Sequence, residues 1–195
     1  MIKVIAFDYG GVLGTEADAW ETTFKNVLVK GRLTLEYINK IWEENWPKLK
    51  VGKEDIGEFW KGNENLREIY NDSITIDSEM LNFAKSLKHK YKLVILSNDS
   101  KDWMNAKINK FKLLDVFDKV YTSANIGIAK PDKRIFEFVL KDLNIMPEEM
   151  LFIDNQENNI ETAKLLGIKT ILFSNQSHTV AHIKKSYKDV IGNIE

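Results

Sequence analysis

The chain has 195 residues, 44% of them hydrophobic, which suits one globular domain or a domain with a small insertion. Its net charge of −1 gives no general attraction to nucleic acid or to an anionic membrane, so we expect neither as a partner. The lack of cysteine excludes disulfides, thiolate catalysis and cysteine-ligated zinc. No apolar run reaches the roughly 20 residues that span a bilayer, and no signal peptide is recognisable, so we expect a cytoplasmic protein.

An apolar run at residues 2–7 ends abruptly in Asp8, with Gly10 and Gly11 close behind. Such a run predicts a strand that is buried on both faces of a parallel sheet. Adjacent glycines allow the backbone to turn sharply and to approach a ligand closely. We therefore expect Asp8 at the carboxyl end of a buried strand, where open α/β sheets bind their ligands.

The following segment, up to about residue 92, has helical spacing and is rich in tryptophan. One-turn spacing relates the pairs Trp20 and Phe24, Ile38 and Trp42, and Trp42 and Trp46. Gly31 and Pro47 are expected to separate helices, and a further helix is expected around residues 53–60. We interpret the aromatic residues as the core of a small helical subdomain. The alternative is that one or two of the rings face a substrate pocket.

From Asp77 onward the pattern alternates between strands and helices. Strands are predicted at residues 93–96, 120–121, 150–153 and 170–173, and helices at about 78–91, 102–110, 132–143, 155–166 and 179–187. This alternation predicts a parallel sheet with helices on both faces. We therefore predict an α/β fold with a Rossmann-like three-layer core of residues 1–14 and 76–195. Residues 15–75 would form a small helical cap inserted after the first strand.

Polar residues lie at the predicted strand ends, namely Asp8, Ser97 and Asp154, with Lys130 in the loop after the third strand. Because the ends of parallel strands share one edge of the sheet, these residues are expected to converge in one crevice. The set suits a phosphate group. A carboxylate can attack phosphorus, while a hydroxyl, helix-start amides and an ammonium group hold the phosphoryl oxygens. Paired acidic groups can also hold Mg²⁺, which prefers oxygen ligands.

Four segments resemble, in order and at suitable spacing, the four motifs of the haloacid dehalogenase-like hydrolase superfamily. They are FDYGGVL, LVILSN, IAKPDKRIFEFVL and FIDNQENNIETAKLLGI. The resemblance extends from Asp8 to Gly167 and so covers the architecture as well as a site, and the helical insertion resembles the small cap of that family. Glycine two residues after Asp8 makes the first motif most similar to bacterial sugar-phosphate phosphatases of the glucose-1-phosphate phosphatase type.

The resemblance implies a Mg²⁺-dependent phosphatase that acts on a small phosphorylated metabolite, such as a sugar phosphate. Asp8, Ser97 and Lys130 would be catalytic: Asp8 as the nucleophile that forms an aspartyl-phosphate, Ser97 on the phosphoryl oxygens, and Lys130 bridging Asp8 and the phosphate. The implied phosphate-binding residues are Asp8, Gly10, Gly11, Ser97, Asn98 and Lys130. The implied Mg²⁺ ligands are Asp8, the Gly10 carbonyl, Asp154 and Asn155.

Two positions depart from the pattern of the family. Most phosphatases of the superfamily have a second Asp at the position of Gly10, which protonates the leaving group and later activates water. General acid–base help of this kind is typically worth ~10²–10⁴ in rate. Glu16 or Asp18 is an alternative source of the proton. Asn155 stands where the family usually has a carboxylate, so we expect weaker Mg²⁺ binding.

Two other functions remain open on the sequence. A catalytically weak or inactive homologue that binds a ligand or a protein partner would explain both Gly10 and Asn155. A metal-independent dehalogenase is disfavoured, because its first motif usually has tyrosine at the position of Gly10 and its fourth motif usually lacks an acid like Asp154. His178 and His182 share a helix face, as a pair of metal ligands would, but no third ligand is in view. The sequence leaves monomer and homodimer open.

Overall fold

The computed structural model describes residues 1–14, 25–31, 33–62, 65–173 and 180–186. The strands in these ranges are β1 (Val4–Phe7), β2 (Lys92–Ser97), β3 (Lys119–Thr122), β4 (Met150–Asp154) and β5 (Lys169–Leu172). The helices before β2 are α1 (Lys25–Gly31), α2 (Leu35–Leu49), α3 (Ile56–Phe59), α4 (Asn65–Ser73) and α5 (Ser78–Leu87). The later helices are α6 (Lys101–Phe111), α7 (Ser123–Ile126), α8 (Lys133–Leu143), α9 (Glu157–Leu165) and α10 (Val180–Ser186).

The five strands form one parallel sheet in the order β3-β2-β1-β4-β5. The central strand, β1, pairs with β2 on one side and with β4 on the other. The chain therefore fills one side of β1 first and then crosses to the other, which makes the end of β1 the point where the strand order switches. The predicted α/β fold with a parallel sheet flanked by helices is confirmed.

Both faces of β1 are covered, which explains its nearly unbroken apolar sequence. Ile5 and Phe7 lie in one core cluster, and Val4 and Ala6 lie in a second. Side chains alternate along a strand, so these two clusters occupy opposite faces of the sheet. Burial of this kind holds β1 rigidly and places Asp8, the next residue, at a defined point on the edge of the sheet.

Side-chain caps begin several helices where the sequence predicted their starts. The carboxylate of Asp77 accepts a hydrogen bond of 2.9 Å from the Met80 amide at the start of α5, and Asp132 accepts one of 2.9 Å from the Arg134 amide at the start of α8. The first of these helices is shorter than predicted. It ends at Leu87 because the chain then turns to enter β2, with the amide of residue 91 donating to the Leu87 carbonyl.

The helices between β1 and α5 pack around a third apolar cluster that includes Ile38, Phe59, Trp60 and Tyr70. Trp103 of α6 belongs to the same cluster, so a helix that follows β2 contributes to the core of this helical segment. The boundaries of a cap at residues 15–75 stay a prediction. No helix in the described parts of the chain combines the length and the apolar character needed to cross a bilayer.

Pro47 does not separate two helices, contrary to the sequence prediction. It lies inside α2, which continues to Leu49. A proline lacks the amide hydrogen that an interior helical position would donate. The helix therefore lacks the one hydrogen bond from position 47 to the Glu43 carbonyl, and helical bonding continues beyond the proline, where the Lys50 amide donates to the Trp46 carbonyl at 3.0 Å. Trp20 and Phe24 lie outside the described residues.

Candidate active site

Three neighbouring strands bring the predicted polar residues to one edge of the sheet. Asp8 follows β1, while Ser97 and Asp154 are the last residues of β2 and β4. Lys130 lies in the loop between α7 and α8, and its side chain reaches the same point. The backbone amide of Asp8 donates to the Ile153 carbonyl at 2.8 Å, which continues the β1–β4 pairing into the site.

The ammonium group of Lys130 is buried between two carboxylates, with 1% of its side chain exposed. Its Nζ lies 3.0 Å from Asp8 Oδ1 and 2.6 Å from Asp154 Oδ2, and it donates to the Leu96 carbonyl at 2.8 Å. Burial alone would lower the pKa of Lys130, but the Asp8 and Asp154 carboxylates outweigh burial and raise it. The group therefore stays charged. We refer to Asp8, Lys130 and Asp154 as the buried triad.

The carboxylate of Asp8 is constrained through one oxygen. Oδ1 accepts a hydrogen bond of 2.7 Å from the Tyr9 amide and also faces Lys130. Burial raises the pKa of Asp8 from 3.8 to about 6, with Lys130 opposing the rise and Asp154 adding to it. At neutral pH the side chain is therefore mostly ionised, and a buried carboxylate of this kind is poorly solvated.

Asp154 is fully buried, and both oxygens of its carboxylate accept hydrogen bonds. Oδ1 accepts from the Gln156 amide at 2.7 Å, while Oδ2 accepts from Asn159 Nδ2 at 2.9 Å and from Lys130. These contacts connect the end of β4 to the start of α9 and hold Lys130 from the side opposite Asp8. A role for Asp154 as a metal ligand stays a prediction.

Asn98 holds the loop that carries Lys130. Its Nδ2 donates to the Lys130 carbonyl and its Oδ1 accepts from the Lys130 amide, both at 2.8 Å. The peptide bond between Lys130 and Pro131 is cis. Because the side-chain amide of Asn98 is used at both ends, its clearest role is to position Lys130. Direct contact between Asn98 and phosphate stays a prediction.

The two glycines after Asp8 differ in conformation. Gly10 has φ −65° and ψ 119°, and a Cβ atom built on it meets no atom of the described residues within 4 Å. Gly11 has φ 72°, in the left-handed region that favours glycine, and is buried. The turn closes with a 2.7 Å hydrogen bond from the Gly14 amide to the Tyr9 carbonyl. Gly10, and not Gly11, is among the described residues that line the cavity beside Asp8.

A cavity of about 210 Å³ opens on this edge of the sheet. The predicted site residues that line it are Asp8, Gly10, Ser97, Asn98, Lys130 and Asn155. These groups supply a carboxylate, a hydroxyl, an ammonium group and amide oxygens around one space. The structure thus brings together most of the side chains that the strand-end pattern indicated.

The cavity is also lined by residues that the sequence pattern did not indicate or indicated only as an alternative. They are Trp42, Trp46, Tyr70, Asp99, Trp103 and Lys107. For Trp42 and Trp46 the two interpretations are compatible, because both rings pack against the helical core and also line the cavity. A signal for Lys107 was present in the sequence, since the residues one turn before it, Trp103 and Met104, are apolar and mark a buried helix face.

The oxygen donors at the ends of β1 and β4 fit Mg²⁺. The Asp8 carboxylate, the Gly10 backbone and the Asn155 side-chain amide line the same space. The buried triad has one more negative charge than positive when ionised, which a divalent cation would offset. Among the described residues, no group of three or more His, Asp or Glu side chains is placed to hold a metal. Mg²⁺ suits such a site because it usually keeps several waters.

The predicted alternatives for a proton donor lie outside the described residues, namely Glu16 and Asp18. His178 is also outside them. His182 lies on α10, but its side chain is not described. A histidine metal pair therefore stays untested.

Comparison with known proteins places this geometry in a family. The family model "haloacid dehalogenase-like hydrolase" matches residues 2–167. A D-ribitol-5-phosphate phosphatase from Bacteroides thetaiotaomicron is 31% identical over 191 residues, which cover 87% of this chain and 91% of that protein. Drimenol cyclase drtB from Aspergillus calidoustus is 22% identical over 99% of this chain, which spans 37% of the length of that protein.

A solved structure extends the similarity to three dimensions. It is a HAD family enzyme from Bacteroides thetaiotaomicron in complex with magnesium and inorganic phosphate, with a TM-score of 0.79 and 26% identity. The match covers 94% of this chain and 99% of that chain. The family model matches most of the chain, the ribitol phosphate phosphatase is 31% identical over most of its length, and the solved structure shares the fold, so the chain belongs to the haloacid dehalogenase-like hydrolases.

Proposed function

We propose that the protein is a Mg²⁺-dependent phosphatase that hydrolyses a small sugar phosphate or polyol phosphate through an aspartyl-phosphate at Asp8. The observation that carries the proposal is the buried triad, in which a carboxylate and an ammonium group face the same cavity. The similarity to a D-ribitol-5-phosphate phosphatase and to a HAD family enzyme with bound magnesium and phosphate supports it.

In the first step, Asp8 attacks the phosphorus atom of the ester. The contacts to Tyr9 and Lys130 both fall on Oδ1, so we assign the attack to Oδ2. A bond forms between Oδ2 and phosphorus as the bond from phosphorus to the ester oxygen breaks, and the ester oxygen takes a proton from a solvent water to leave as an alcohol. Water then attacks the acyl phosphate, which releases inorganic phosphate and restores the Asp8 carboxylate.

The neighbouring groups orient the phosphoryl group and stabilise its charge. Lys130 bridges Asp8 and the phosphoryl oxygens, and Asp154 and Asn98 hold Lys130 in place. The Ser97 hydroxyl donates to a phosphoryl oxygen. Mg²⁺, held by Asp8, the Gly10 carbonyl and Asn155, would supply positive charge for the phosphoryl oxygens. No side chain at position 10 can protonate the leaving group, so we expect slow turnover of esters with poor leaving groups.

The test is phosphate release from p-nitrophenyl phosphate and from a panel of sugar, polyol and nucleoside monophosphates. We expect turnover that requires Mg²⁺, stops with EDTA, and falls by at least about 10³-fold in Asp8→Asn because the nucleophile is lost. Asp72→Asn is the matched control, since Asp72 is exposed on α4. Turnover that survives in Asp8→Asn, or that persists in EDTA, would overturn the proposed mechanism.

A second candidate is a homologue that binds a phosphorylated ligand without hydrolysing it. Gly10 and Asn155 favour this candidate because each replaces a carboxylate that the family usually has. A melting temperature that rises with Mg²⁺ and phosphate, together with no phosphate release above the Asp8→Asn background, would identify it.

A further inference from the structure

A second buried ion pair lies in the wall of the cavity and takes no part in the phosphoryl chemistry. Lys107 Nζ lies 2.6 Å from Asp99 Oδ2, with 8% and 3% of the two side chains exposed. Asp99 is fixed by hydrogen bonds: its Oδ1 accepts from the Ser100 amide at 2.8 Å, and its amide donates to Ser123 Oγ at 3.0 Å. Both charged residues line the cavity. The pair is therefore buried in the protein but adjacent to the space that a ligand would fill.

Stability alone does not account for this pair. A buried ion pair often contributes no more to folding than well-packed apolar residues of similar volume, because both charges lose their hydration. Burial raises the pKa of Asp99, with Lys107 opposing the rise, so keeping this carboxyl ionised lowers the stability of the folded protein. Lys107 also occupies the buried face of α6, beside Trp103 and Met104, where an apolar residue would pack.

An aromatic surface adjoins the pair. The rings of Trp42, Trp46 and Trp103 are nearly parallel, with interplanar angles of 10–22° and centroids 4.6–6.1 Å apart. Tyr70 stacks on Trp103 at 4.5 Å. All four rings line the cavity. Trp42 and Trp46 are partly exposed and present apolar area to a ligand whose phosphoryl group lies at Asp8. Tyr70 and Trp103 are only 1% and 2% exposed, and Trp103 supports the other two rings by stacking on both.

A polyhydroxylated carbon chain or ring matches both features. A hydroxyl group donates one hydrogen bond and accepts others, so it can donate to Asp99 and accept from Lys107. The C–H groups of the same molecule can pack against the rings. The cavity volume of about 210 Å³ lies below the ~300–1,000 Å³ of sites for larger ligands. A cavity of this size favours a short polyol or a monosaccharide over a nucleoside.

We propose that Asp99 and Lys107, together with the ring surface of Trp42, Trp46, Tyr70 and Trp103, form the subsite that binds the polyhydroxylated leaving group of the substrate. The inference rests on the proposed function for the position of the phosphoryl group. Lys107 and Asp99 contact hydroxyl groups and set specificity, while the buried triad binds the phosphoryl group of any substrate.

Binding is measured in the Asp8→Asn background, so that no substrate is consumed, by tryptophan fluorescence with D-ribitol 5-phosphate, AMP and inorganic phosphate as probes. We expect D-ribitol 5-phosphate to bind more tightly than AMP or inorganic phosphate. Adding Lys107→Met and Asp99→Asn together removes both charges without leaving one unpaired. This change should raise the Kd of D-ribitol 5-phosphate about 10- to 100-fold, which is the usual effect of losing hydrogen bonds to charged groups. The Kd of inorganic phosphate should change less than about twofold.

Lys101→Met is the matched control, because Lys101 is exposed on the same helix. A second variant, Lys107→Arg, keeps the charge and should retain most of the affinity even if the double variant is less stable. The inference would be overturned if the double variant bound D-ribitol 5-phosphate and inorganic phosphate more weakly by the same factor. It would also be overturned if AMP bound more tightly than D-ribitol 5-phosphate.

Activity separates this inference from the proposed function. In the chain with native Asp8, the Asp99 and Lys107 variants should lose kcat/KM on D-ribitol 5-phosphate through a higher KM and retain it on p-nitrophenyl phosphate. If the native chain turns over neither substrate, the proposed function fails, and the binding measurement still decides the inference. Equal losses on the two substrates would refute the subsite.

Discussion

At the scale of single residues, Asp8 shows how function opposes stability in this chain. The residue lies at the end of a buried strand, next to a second carboxylate, and Lys130 compensates only in part. Its pKa is therefore about 6, so ionisation of Asp8 is less favourable in the folded protein than in water, although the ionised form still predominates at neutral pH. If Asp8 is the nucleophile, as proposed, its poor solvation would make it reactive, and the folded protein would lose some stability in return.

Asp8→Asn should stabilise the metal-free protein at pH 8. The pKa of Asp8 is about 6 in the folded state against an ordinary 3.8, so its contribution is favourable below pH 3.8 and is lost as the pH rises through 6. Removing the charge should raise the free energy of unfolding at pH 8 by about 3 kcal/mol.

Urea unfolding in EDTA at pH 8, 5 and 4 measures this effect, and the gain should shrink towards zero at the lowest pH. A loss of stability at pH 8 in Asp8→Asn would contradict the prediction. It would mean that the ion pair with Lys130 outweighs the burial of Asp8.

At the scale of elements, the two glycines in the turn after β1 have different roles. Gly11 adopts φ 72° and allows the chain to reverse direction. Gly10 has ordinary backbone angles, and no described residue fills the space into which a side chain would project. Glycine at position 10 is therefore not required by the backbone. The missing side chain at this position affects the chemistry of the site and not the backbone. The described residues leave room for the acid that most phosphatases of the family have there.

Gly10→Asp should fold with near-native stability and raise kcat on D-ribitol 5-phosphate, up to the roughly 10²-fold or more that general acid catalysis supplies. The effect on p-nitrophenyl phosphate should be small, because its leaving group needs little protonation. Steady-state kinetics on both substrates measures the change. Gly11→Ala is the control and should cost about 1 kcal/mol of stability, because alanine disfavours the left-handed conformation. Unchanged or reduced kcat in Gly10→Asp would contradict the prediction.

At the scale of the whole molecule, three apolar clusters meet around the site. Two of them lie on opposite faces of the sheet, and the third lies among α1–α4 and includes Trp103 from α6. Polar contacts also join α6 to α4 and the residue after it: Arg67 pairs with Asp102 at 3.1 Å, and Lys110 donates to three carbonyls, those of Asn71, Asp72 and Ile74. Both apolar and polar contacts of α6 thus attach the helical segment to the sheet domain.

Trp103→Ala should destabilise the protein by about 3–5 kcal/mol, because the ring is 2% exposed and packs against Phe59 and Tyr70. Urea unfolding followed by circular dichroism measures the loss. Trp42→Ala, at a partly exposed ring, is the comparison and should cost less. Similar small losses in both variants would mean that Trp103 does not join the helical cluster to the sheet.

Local signals in the sequence were sufficient for the fold and for much of the site. The apolar run before Asp8 could bury both faces only within a parallel sheet, and the polar residues Ser97 and Asp154 ended strands of the same kind. Because strand ends in such a sheet share one edge, the topology alone brings Asp8, Ser97 and Asp154 together. Pro47 was misplaced, because a proline near the end of a helix and a proline between two helices look alike in sequence.

The sequence by itself determined the strand and helix pattern, the set of strand-end residues and the missing acid at position 10, because each depends on residues close together in the chain. Only the tertiary structure decided that Asp154 and Asn98 hold Lys130, and that Asp99 and Lys107 face the same cavity as Trp42 and Tyr70. These relations join side chains that are far apart in sequence. They depend on how helices pack on the sheet, and the periodicity of a single segment carries no information about that packing.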